Sequence, residues 1–366
     1  MKIVSTSYVN SPEFTDPEQW LDRISFYTGI LEELAKDHEV ESIEQINYSG
    51  VLKRNSVTYH FLNFKKPKLY FPGQLHAYVE KLQPDIVFVN GLIFPLQIIQ
   101  LQLSLGKSVK IIVWHRSEKP FNGIKKHIQK LADRFVNAYL FASSEFGEQW
   151  AGNGNISHRK KIHEVMHGSS VFCYGDKAVV RSLLPVRGSP VFLWVGRLDA
   201  NKDPLTVVKA FIQFLKFQPE ARLYMIFHTE ELLKQVSNLV RSDSHATEAI
   251  KLVGRIPHQQ LQAWYNAADL IISGSHYEGG GIAVCEAMSC GCIPVLTDII
   301  SFRRMTGPGK CGLLYEAGNS EALLKTLLKT PDMDMEKEKD RVLQQFKAEL
   351  SFEAIAKKIN SVINSI

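Results

Sequence analysis

The stretch VFLWVGRLDANKDP, residues 191–204, passes from an apolar run through a glycine to an Asp-Pro pair. An uninterrupted apolar run such as 191–195 is typical of a parallel strand that is buried on both faces. Asp203 followed by Pro204 is a common helix start, because Asp caps free backbone N–H groups and Pro fits the first turn. The stretch therefore predicts one βα unit, with its turn at Gly196.

The same alternation of short apolar runs and longer amphipathic ones continues through most of the chain. Strands are predicted at 3–5, 85–90, 109–114, 138–142, 191–195, 222–227, 250–253, 270–272 and 293–296, and helices at 20–35, 205–215 and 259–266. A second Asp-Pro pair, Asp16-Pro17, marks another helix start. Repeated βαβ units predict doubly wound parallel sheets of the α/β class.

The composition limits the classes of protein to which the chain can belong. A chain of 366 residues has the length of two domains, and 45% hydrophobic with 22% charged residues is ordinary globular composition. A net charge of +5 is mild and does not demand a nucleic-acid partner. The odd number of cysteines, five, favours free thiols in a reducing compartment. With no secretory signal and no long apolar run, the sequence predicts a cytoplasmic protein.

The domain boundary is predicted in the turn-rich segment 167–189, which is interpreted as a linker. It separates an N-terminal Rossmann-like domain, 1–166, from a C-terminal one, 190–345. A last helix, 346–366, is expected to pack back toward the N-terminal domain. Two such domains would face a cleft, and ligands of open α/β sheets bind beyond the carboxyl ends of the strands.

Two cations follow the strand 191–195. Arg197 supplies a forked guanidinium and Lys202 an ammonium, a combination that suits a diphosphate. The alternative is that both side chains are solvated surface cations.

Two carboxylates follow the strand 270–272. Glu278 and Glu286 are eight residues apart, with three glycines between them and a helix predicted from about Ile282. The positive end of that helix would attract an anion, and Glu286 could accept two hydrogen bonds from a ribose diol. Glu278 could hold sugar hydroxyls. The alternative is a glycine-rich turn with a capping glutamate.

Taken together, these segments resemble the signature of glycosyltransferase family 4, the group 1 glycosyltransferases of the GT-B fold. The resemblance rests on Gly196-Arg197-Leu198 with Lys202-Asp203-Pro204, on Glu278 and Glu286 in a Glu-x7-Glu motif, and on 286–295, EAMSCGCIPV. Further short segments that are similar to sequences of the family are 254–257, 265–269, 312–315, 318–323 and 352–356. The resemblance is strong over 190–366 and diffuse over 1–166.

The resemblance implies that 1–166 is the acceptor-side domain and that 190–345 binds the nucleotide sugar. It also implies roles for particular residues. Arg197 and Lys202 would bind the donor diphosphate, Glu286 the ribose and Glu278 the transferred sugar. The remaining donor contacts would come from Gly196, from the backbone amides of Gly280, Gly281 and Ile282, and from the backbone near Arg255 and Ile256, which would meet the base.

A histidine just past the strand 109–114 resembles the cleft-facing histidine of the family. His115 would then contact the donor sugar; the alternative is a loop histidine with a local hydrogen bond. The neighbouring Arg116 and Glu118 could touch the acceptor or be solvated charges.

The chain departs from the family pattern in three places. The usual Glu-Gly-Phe-Gly reads Glu-Gly-Gly-Gly at 278–281, the usual Asn-Gly-Val-Asp reads His-Gly-Ser-Ser at 167–170, and the Gly-Gly loop after the first strand is replaced by 5–10, STSYVN. Acceptor and phosphate contacts of that first loop therefore do not carry over.

The activity implied by the resemblance is transfer of a sugar, with retained anomeric configuration, from a nucleotide-diphosphate sugar to an acceptor hydroxyl. No metal and no cofactor is expected. The acceptor would be a glycan or a lipid-linked glycan, in surface polysaccharide synthesis. Two alternatives stay open: a nucleotide-sugar-binding protein without transferase activity, and a GT-B epimerase that acts on a nucleotide sugar.

The segment 122–137 predicts a basic amphipathic helix. Its apolar stripe consists of Ile124, Ile128, Leu131 and Phe135, and its cations are Lys125, Lys126, Lys130 and Arg134, with Lys65, Lys66 and Lys68 nearby in sequence. Such a helix can lie on anionic lipid at the inner face of the membrane; the alternative is a helix packed on the sheet.

Two further motifs are interpreted as structural. Asp332-Met333-Asp334 is expected to be surface acids rather than a metal site, and Cys290 and Cys292 are expected to be buried small hydrophobes.

Overall fold

The computed structural model describes residues 1–64 and 70–366, so Lys65, Lys66 and Lys68 lie outside the described residues. The chain divides into two compact units. Unit 1 consists of Met1–Ser169 together with Phe352–Ile366, and unit 2 is Ser170–Ser351.

Unit 1 is built on one mixed sheet. Its strands are β1 (Lys2–Ser7), β2 (Glu39–Gln45), β3 (Gly50–Arg54), β4 (Val57–Leu62), β5 (Ile86–Asn90), β6 (Lys110–Trp114), β7 (Ala138–Phe141) and β8 (Ile162–Glu164). Their order across the sheet is β3-β4-β2-β1-β5-β6-β7-β8. The β3–β4 pair is antiparallel and the other pairs are parallel. The four predicted strands of this half are confirmed; β2, β3, β4 and β8 were not predicted.

The helices of unit 1 lie between the parallel strands. They are α1 (Pro17–Arg23), α2 (Ser25–Leu34), α3 (Gly73–Lys81), α4 (Pro95–Leu105), α5 (Gly123–Ala132) and α6 (Ser144–Gly152), with a 3-10 turn at Arg159–Lys161. The Asp16 cap is confirmed, since its carboxylate accepts the N–H groups of Glu18 and Gln19. The single helix predicted at 20–35 is two helices, because Ile24 leaves the helical conformation with φ −103° and ψ 17°.

Unit 2 contains a parallel sheet of six strands. They are β9 (Val191–Gly196), β10 (Arg222–Phe227), β11 (Ile250–Gly254), β12 (Leu270–Ser273), β13 (Ile293–Thr297) and β14 (Leu313–Tyr315), in the order β11-β10-β9-β12-β13-β14. The five predicted strands are confirmed and β14 is additional. β9 and β12 are almost entirely apolar and buried, as expected for central parallel strands.

Helices surround the second sheet. They are α7 (Lys177–Leu183), α8 (Pro204–Phe214), α9 (Leu233–Arg241), α10 (Ser244–Ala249), α11 (His258–Ala267), α12 (Ile282–Ser289), α13 (Ile300–Thr306), α14 (Ser320–Leu327) and α15 (Met335–Gln345), with short turns at Thr330–Asp332 and Phe346–Leu350. The Asp203 cap of α8 is confirmed, because its carboxylate accepts the N–H of Thr206.

Each sheet has a point where the connections change direction. In unit 2 the connection after β9 leads to β10 on one side of the sheet, and the connection after β12 leads to β13 on the other side. In unit 1 the same arrangement occurs at β1 and β5. Ligands of doubly wound sheets bind at such switch points, beyond the carboxyl ends of the strands.

The chain returns to unit 1 through its last helix, α16 (Phe352–Ile363), which packs against α2. Gly29 permits this contact: a Cβ there would lie 2.6 Å from the ring of Phe352. The segment 346–366 was predicted as one helix, but extended backbone at Ser351, with ψ 157°, separates Phe346–Leu350 from α16. Among the described residues, no helix has the length and apolar character needed to cross a bilayer.

Candidate functional site

The loop after β9 carries Arg197 and Lys202 and is fixed by its own hydrogen bonds. Leu198 is fully buried, and its N–H donates to Oγ1 of Thr229 at 2.8 Å. Asp199 accepts the N–H of Lys202 at 2.9 Å and pairs with Nε of Arg197 at 3.1 Å. The Arg197 side chain is 55% exposed, so its guanidinium is available at the surface of the loop.

The loop after β12 runs directly against the loop after β9. A Cβ on Gly274 would lie 2.7 Å from the carbonyl oxygen of Asp203, so only glycine allows this approach. The His276 N–H donates to the carbonyl of Asn201 at 2.8 Å, and the Asn201 side chain donates to the carbonyl of Tyr277 at 3.0 Å. The two loops therefore form one continuous backbone surface at the switch point.

This contact brings two of the predicted residues together. Nζ of Lys202 forms a short ion pair with Oε1 of Glu278, and both side chains remain partly exposed, at 21% and 14%. The predicted phosphate ligand and the predicted sugar ligand are thus adjacent. The ammonium of Lys202 and the carboxylate of Glu278 thus offset each other's charge.

The start of α12 adds backbone donors next to Glu278. The N–H groups of Gly280, Gly281 and Ile282 have no acceptor in the part of the chain that the structure describes. Gly281 has φ +54°, and a Cβ there would meet the ring of Phe302 at 2.9 Å, so the turn depends on glycine. Free N–H groups and the positive end of the helix together favour an anionic group at this point.

Glu286 lies inside α12 and is 6% exposed. Its Oε1 is 2.6 Å from Nε2 of His258, and its Oε2 accepts from the hydroxyl of Tyr265 at 3.1 Å. Burial, followed by the negative charge of Glu286, raises the pKa of Tyr265 well above its usual value, so this hydroxyl keeps its proton and donates. The carboxylate is therefore held in one orientation.

His258 is a site residue that sequence reasoning missed. Its ring is about half exposed and packs on Phe172 with the ring centres 5.0 Å apart. It begins α11, directly after the loop with Arg255 and Ile256, so its bond to Glu286 joins that loop to α12. Arg255 is exposed and Ile256 is partly buried against the core. A lone histidine after Pro257 gave no sequence signal.

His115, predicted to contact the donor sugar, lies among aromatic side chains in this structure. The ring is fully buried between Phe141 and Phe146, at centre distances of 4.8 and 5.8 Å, and its Nε2 bonds the carbonyl of Glu118 at 2.8 Å. Burial lowers its pKa although Glu118 opposes the shift, so the ring is neutral at pH 7. In this structure the ring is not exposed for contact with a donor sugar; it has the local hydrogen bond of the alternative interpretation.

Arg116 and Glu118 are not simple solvated charges. The Glu118 carboxylate accepts the N–H of Leu92 at 2.8 Å and that of Arg116 at 2.6 Å, which fixes the loop after β6. The Arg116 guanidinium lies 4.6 Å from the ring centre of Tyr27 and donates to Oδ1 of Asn90.

Of the two motifs interpreted as structural, Asp332 and Asp334 are exposed, and Cys290 and Cys292 are buried. Asp334 caps α15 by accepting the N–H of Lys337 at 3.1 Å. Within the described ranges, no group of three or more His, Cys, Asp or Glu could hold a metal ion. Cys290 and Cys292 are buried free thiols, and burial raises the pKa of Cys290 to about 12.

Comparison with known proteins finds similarity to the same family over part of the chain. Residues 176–345 match the family Glycosyl transferases group 1. A GDP-mannose:cellobiosyl-diphosphopolyprenol alpha-mannosyltransferase of Xanthomonas oryzae pv. oryzae is 28% identical over 130 residues, which are 36% of this chain and 34% of that protein. A mannosylfructose-phosphate synthase of Agrobacterium fabrum is 27% identical over 182 residues, 47% of this chain and 40% of that protein. The chain thus matches less than half the length of these curated relatives.

The fold is shared over the whole chain with solved glycosyltransferases. HepE of Anabaena, solved in complex with UDP and glucose, has a TM-score of 0.72 at 15% identity, and the match covers 100% of both chains. A sucrose-phosphate synthase of Thermosynechococcus elongatus has a TM-score of 0.72 at 16% identity, covering 100% of this chain and 99% of that one. These neighbours are GT-B glycosyltransferases, and the predicted fold class is confirmed.

Proposed function

We propose that this chain is a glycosyltransferase that moves a sugar from a nucleotide-diphosphate sugar to an acceptor hydroxyl, with retention and without a metal ion. The observation that carries the proposal is the Lys202–Glu278 pair at the switch point of the sheet whose sequence matches group 1 glycosyltransferases. The solved complexes of HepE with UDP and glucose support a nucleotide-sugar donor.

The proposed donor occupies the surface made by the loops after β9 and β12 and the start of α12. Its diphosphate takes Lys202 and Arg197, and its sugar takes Glu278 and the free amides at the start of α12. Binding then replaces the internal Lys202–Glu278 pair by contacts to the ligand. Fixed positive charge next to the leaving diphosphate lowers the barrier, because negative charge grows there as the glycosidic bond breaks.

The proposed reaction follows the front-face course that the family resemblance implies. The bond between the anomeric carbon and the diphosphate oxygen breaks, and the acceptor oxygen bonds the same face of that carbon. The acceptor proton passes to an oxygen of the leaving diphosphate, so the products are a glycoside and a nucleoside diphosphate. The chain's own part is to orient the donor and to stabilise the departing charge.

A ligand panel tests this function. UDP, GDP and ADP are added to the protein with EDTA present, and one of them is expected to raise the melting temperature by about 3 °C or more at saturation. The matching nucleotide sugar should then release nucleoside diphosphate when a glycan acceptor is supplied. Binding without any release indicates a nucleotide-sugar-binding protein, and conversion to an isomer of equal mass indicates an epimerase. No shift with any nucleotide contradicts the proposal.

We also propose that unit 1 meets the membrane through α5. This helix ends at Ala132 and is shorter than the helix predicted at 122–137. Ile124 and Leu131 are 79% and 46% exposed, so the apolar stripe of this helix is not fully covered by the fold. Lys125 and Lys130 are exposed beside them, and α5 contains no acidic residue. Apolar side chains flanked by cations favour an anionic lipid surface, which would bring the protein to a lipid-linked acceptor.

The expected result is that Ile124→Glu combined with Leu131→Glu weakens binding to phosphatidylglycerol vesicles at least about 10-fold. The variant lacks two large apolar side chains that would insert into the lipid, and its two new negative charges are repelled by the anionic lipid surface. Cosedimentation with vesicles measures the effect, and Phe217→Glu, at a side chain 60% exposed in unit 2, is the control. Equal binding of the double variant and the wild type would argue against this contact.

A further inference from the structure

The carboxylate of Glu286 is held by two side chains of a single helix. His258 and Tyr265 both belong to α11, and their spacing corresponds to about two helical turns, so they lie on the same face of that helix. Nε2 of His258 lies 2.6 Å from Oε1 of Glu286, and the Tyr265 hydroxyl donates to Oε2 at 3.1 Å. Each carboxylate oxygen therefore has its own donor from α11.

The two donors differ in their surroundings. Tyr265 is fully buried, whereas the side chain of His258 is 46% exposed. A carboxylate only accepts hydrogen bonds, so Nε2 of His258 carries the hydrogen of this bond. The Glu286 side chain is 7% exposed, and in the part of the chain that the structure describes neither Lys nor Arg pairs with it. Of the two donors, His258 is thus the one at the side where a ligand has access.

An anchored aromatic ring supports His258. The ring centre of Phe172 lies 5.0 Å from that of His258 and 6.1 Å from that of Tyr265. Phe172 is itself buried, and its N–H donates to Oγ of Ser170 at 3.0 Å. Oγ of Ser289, on α12, donates to the same oxygen at 2.9 Å. The imidazole therefore packs on a ring that is tied to α12, and its N–H keeps its direction toward Glu286.

The orientation of Glu286 determines what its free acceptor sites can bind. The two bonds from α11 leave about two of the four acceptor sites of the carboxylate for neighbouring hydroxyls. A group that is oriented before the ligand arrives loses little conformational freedom on binding. Without the bond from His258, the carboxylate can turn toward water, and a diol loses its pair of acceptors. Without the Tyr265 hydroxyl, the shorter bond from His258 remains, so the two donors are not equivalent.

We propose that His258 is a positioning residue, whose Nε2–H holds the carboxylate of Glu286 in the orientation that accepts from both hydroxyls of a ribose. The proposal rests on the proposed function, in which Glu286 binds the ribose of the donor nucleotide. His258 then contributes, through Glu286, to the preference for ribonucleotides over 2′-deoxyribonucleotides. Because the ribose is remote from the bond that breaks, His258 affects donor binding and not the chemical step.

Three substitutions separate the hydrogen bond of His258 from the packing of its ring. His258→Gln keeps an N–H donor at about the reach of Nε2 but loses the ring. His258→Phe keeps a ring on Phe172 but has no donor. His258→Leu also lacks the donor and is smaller, so it serves if a phenyl ring does not fit beside Glu286. His245→Leu, at an exposed histidine of α10, is the matched control.

Calorimetry with UDP, GDP and ADP identifies the nucleotide that the full chain prefers, and the 2′-deoxy form of that nucleotide is then measured. Wild type, His258→Gln and His245→Leu are expected to prefer the ribonucleotide at least about 10-fold. His258→Phe and His258→Leu are expected to reduce this preference below about 3-fold, because they lack the donor to Glu286. In transfer assays the KM for the nucleotide sugar rises in these two variants, and kcat changes less than about 2-fold.

A normal preference in His258→Phe and His258→Leu would overturn the proposal. So would a normal preference in His258→Phe combined with a lost one in His258→Gln, since packing of the ring would then be the important contribution. Melting temperatures of the same samples identify any loss of folding. If wild type binds a nucleotide without preferring its ribose form, the roles of His258 and Glu286 are both refuted. If wild type binds none of the three nucleotides, the proposed function itself is contradicted.

Discussion

Replacing Lys202 by methionine is expected to lower the rate of sugar transfer by about 10²–10³-fold, while the chain stays folded. The variant lacks the lysine ammonium, which would otherwise stabilise the negative charge that develops on the leaving diphosphate. Methionine keeps most of the aliphatic stem, whose Cδ lies 3.6 Å from the position of a Cβ on Gly196. The N–H of residue 202 can still donate to Asp199, so the loop after β9 keeps its conformation.

The measurement is the rate of nucleoside diphosphate release at saturating donor, with the melting temperature recorded on the same preparations. Lys209→Met is the matched control, because Lys209 is exposed on α8 and far along the helix from the loop. Glu278→Gln should also reduce turnover, since the sugar loses a charged ligand. Full turnover in Lys202→Met would remove Lys202 from the proposed mechanism.

Replacing Glu286 by glutamine is expected to weaken nucleoside diphosphate binding by about 10–100-fold, which corresponds to about 1.4–2.8 kcal/mol. The carboxylate already takes one bond from His258 and one from Tyr265, and its remaining acceptor sites are available to a ribose diol. Glutamine has a single acceptor oxygen, which cannot serve Tyr265 and both hydroxyls equally well.

The sharpest test of Glu286 uses a nucleotide that lacks one hydroxyl. Wild type should discriminate between the preferred nucleoside diphosphate and its 2′-deoxy form, and Glu286→Gln should lose most of that discrimination. Tyr265→Phe, which keeps the carboxylate, is the control and should retain it. If the 2′-deoxy form binds the wild type as tightly as the parent nucleotide, Glu286 is a structural residue of α12.

The strands that could be predicted are those that are apolar along their whole length. β9, β12 and their counterparts in unit 1 are buried on both faces, and their sequences show this directly. β2 was missed because its sequence contains three glutamates, and these are held by contacts that no sequence pattern reveals. Glu41, for example, pairs with Lys2 and with His60 across the sheet.

The candidate site was predictable where residues lie close together in the chain. The Arg197–Lys202 loop and the Glu-x7-Glu segment were found because the residues of each segment are close in sequence and directly follow one predicted strand. The direct Lys202–Glu278 pair was not foreseen, since it depends on two loops meeting through Gly274. His258 was missed for the same reason, because its partner Glu286 is distant in sequence. His115 was interpreted from its position after a strand, and the aromatic side chains that enclose it could not be predicted.

The dependence of α2 on α16 has a consequence for biosynthesis. A ribosome makes residues 1–169 first, then all of unit 2, and only then the helix that completes unit 1. Ile355 and Ile359 of α16 are fully buried in the finished protein, so the nascent first unit leaves their binding surface on α2 exposed to water. Unit 2 can therefore mature before α16 is made, whereas unit 1 finishes folding only after α16 has been synthesised.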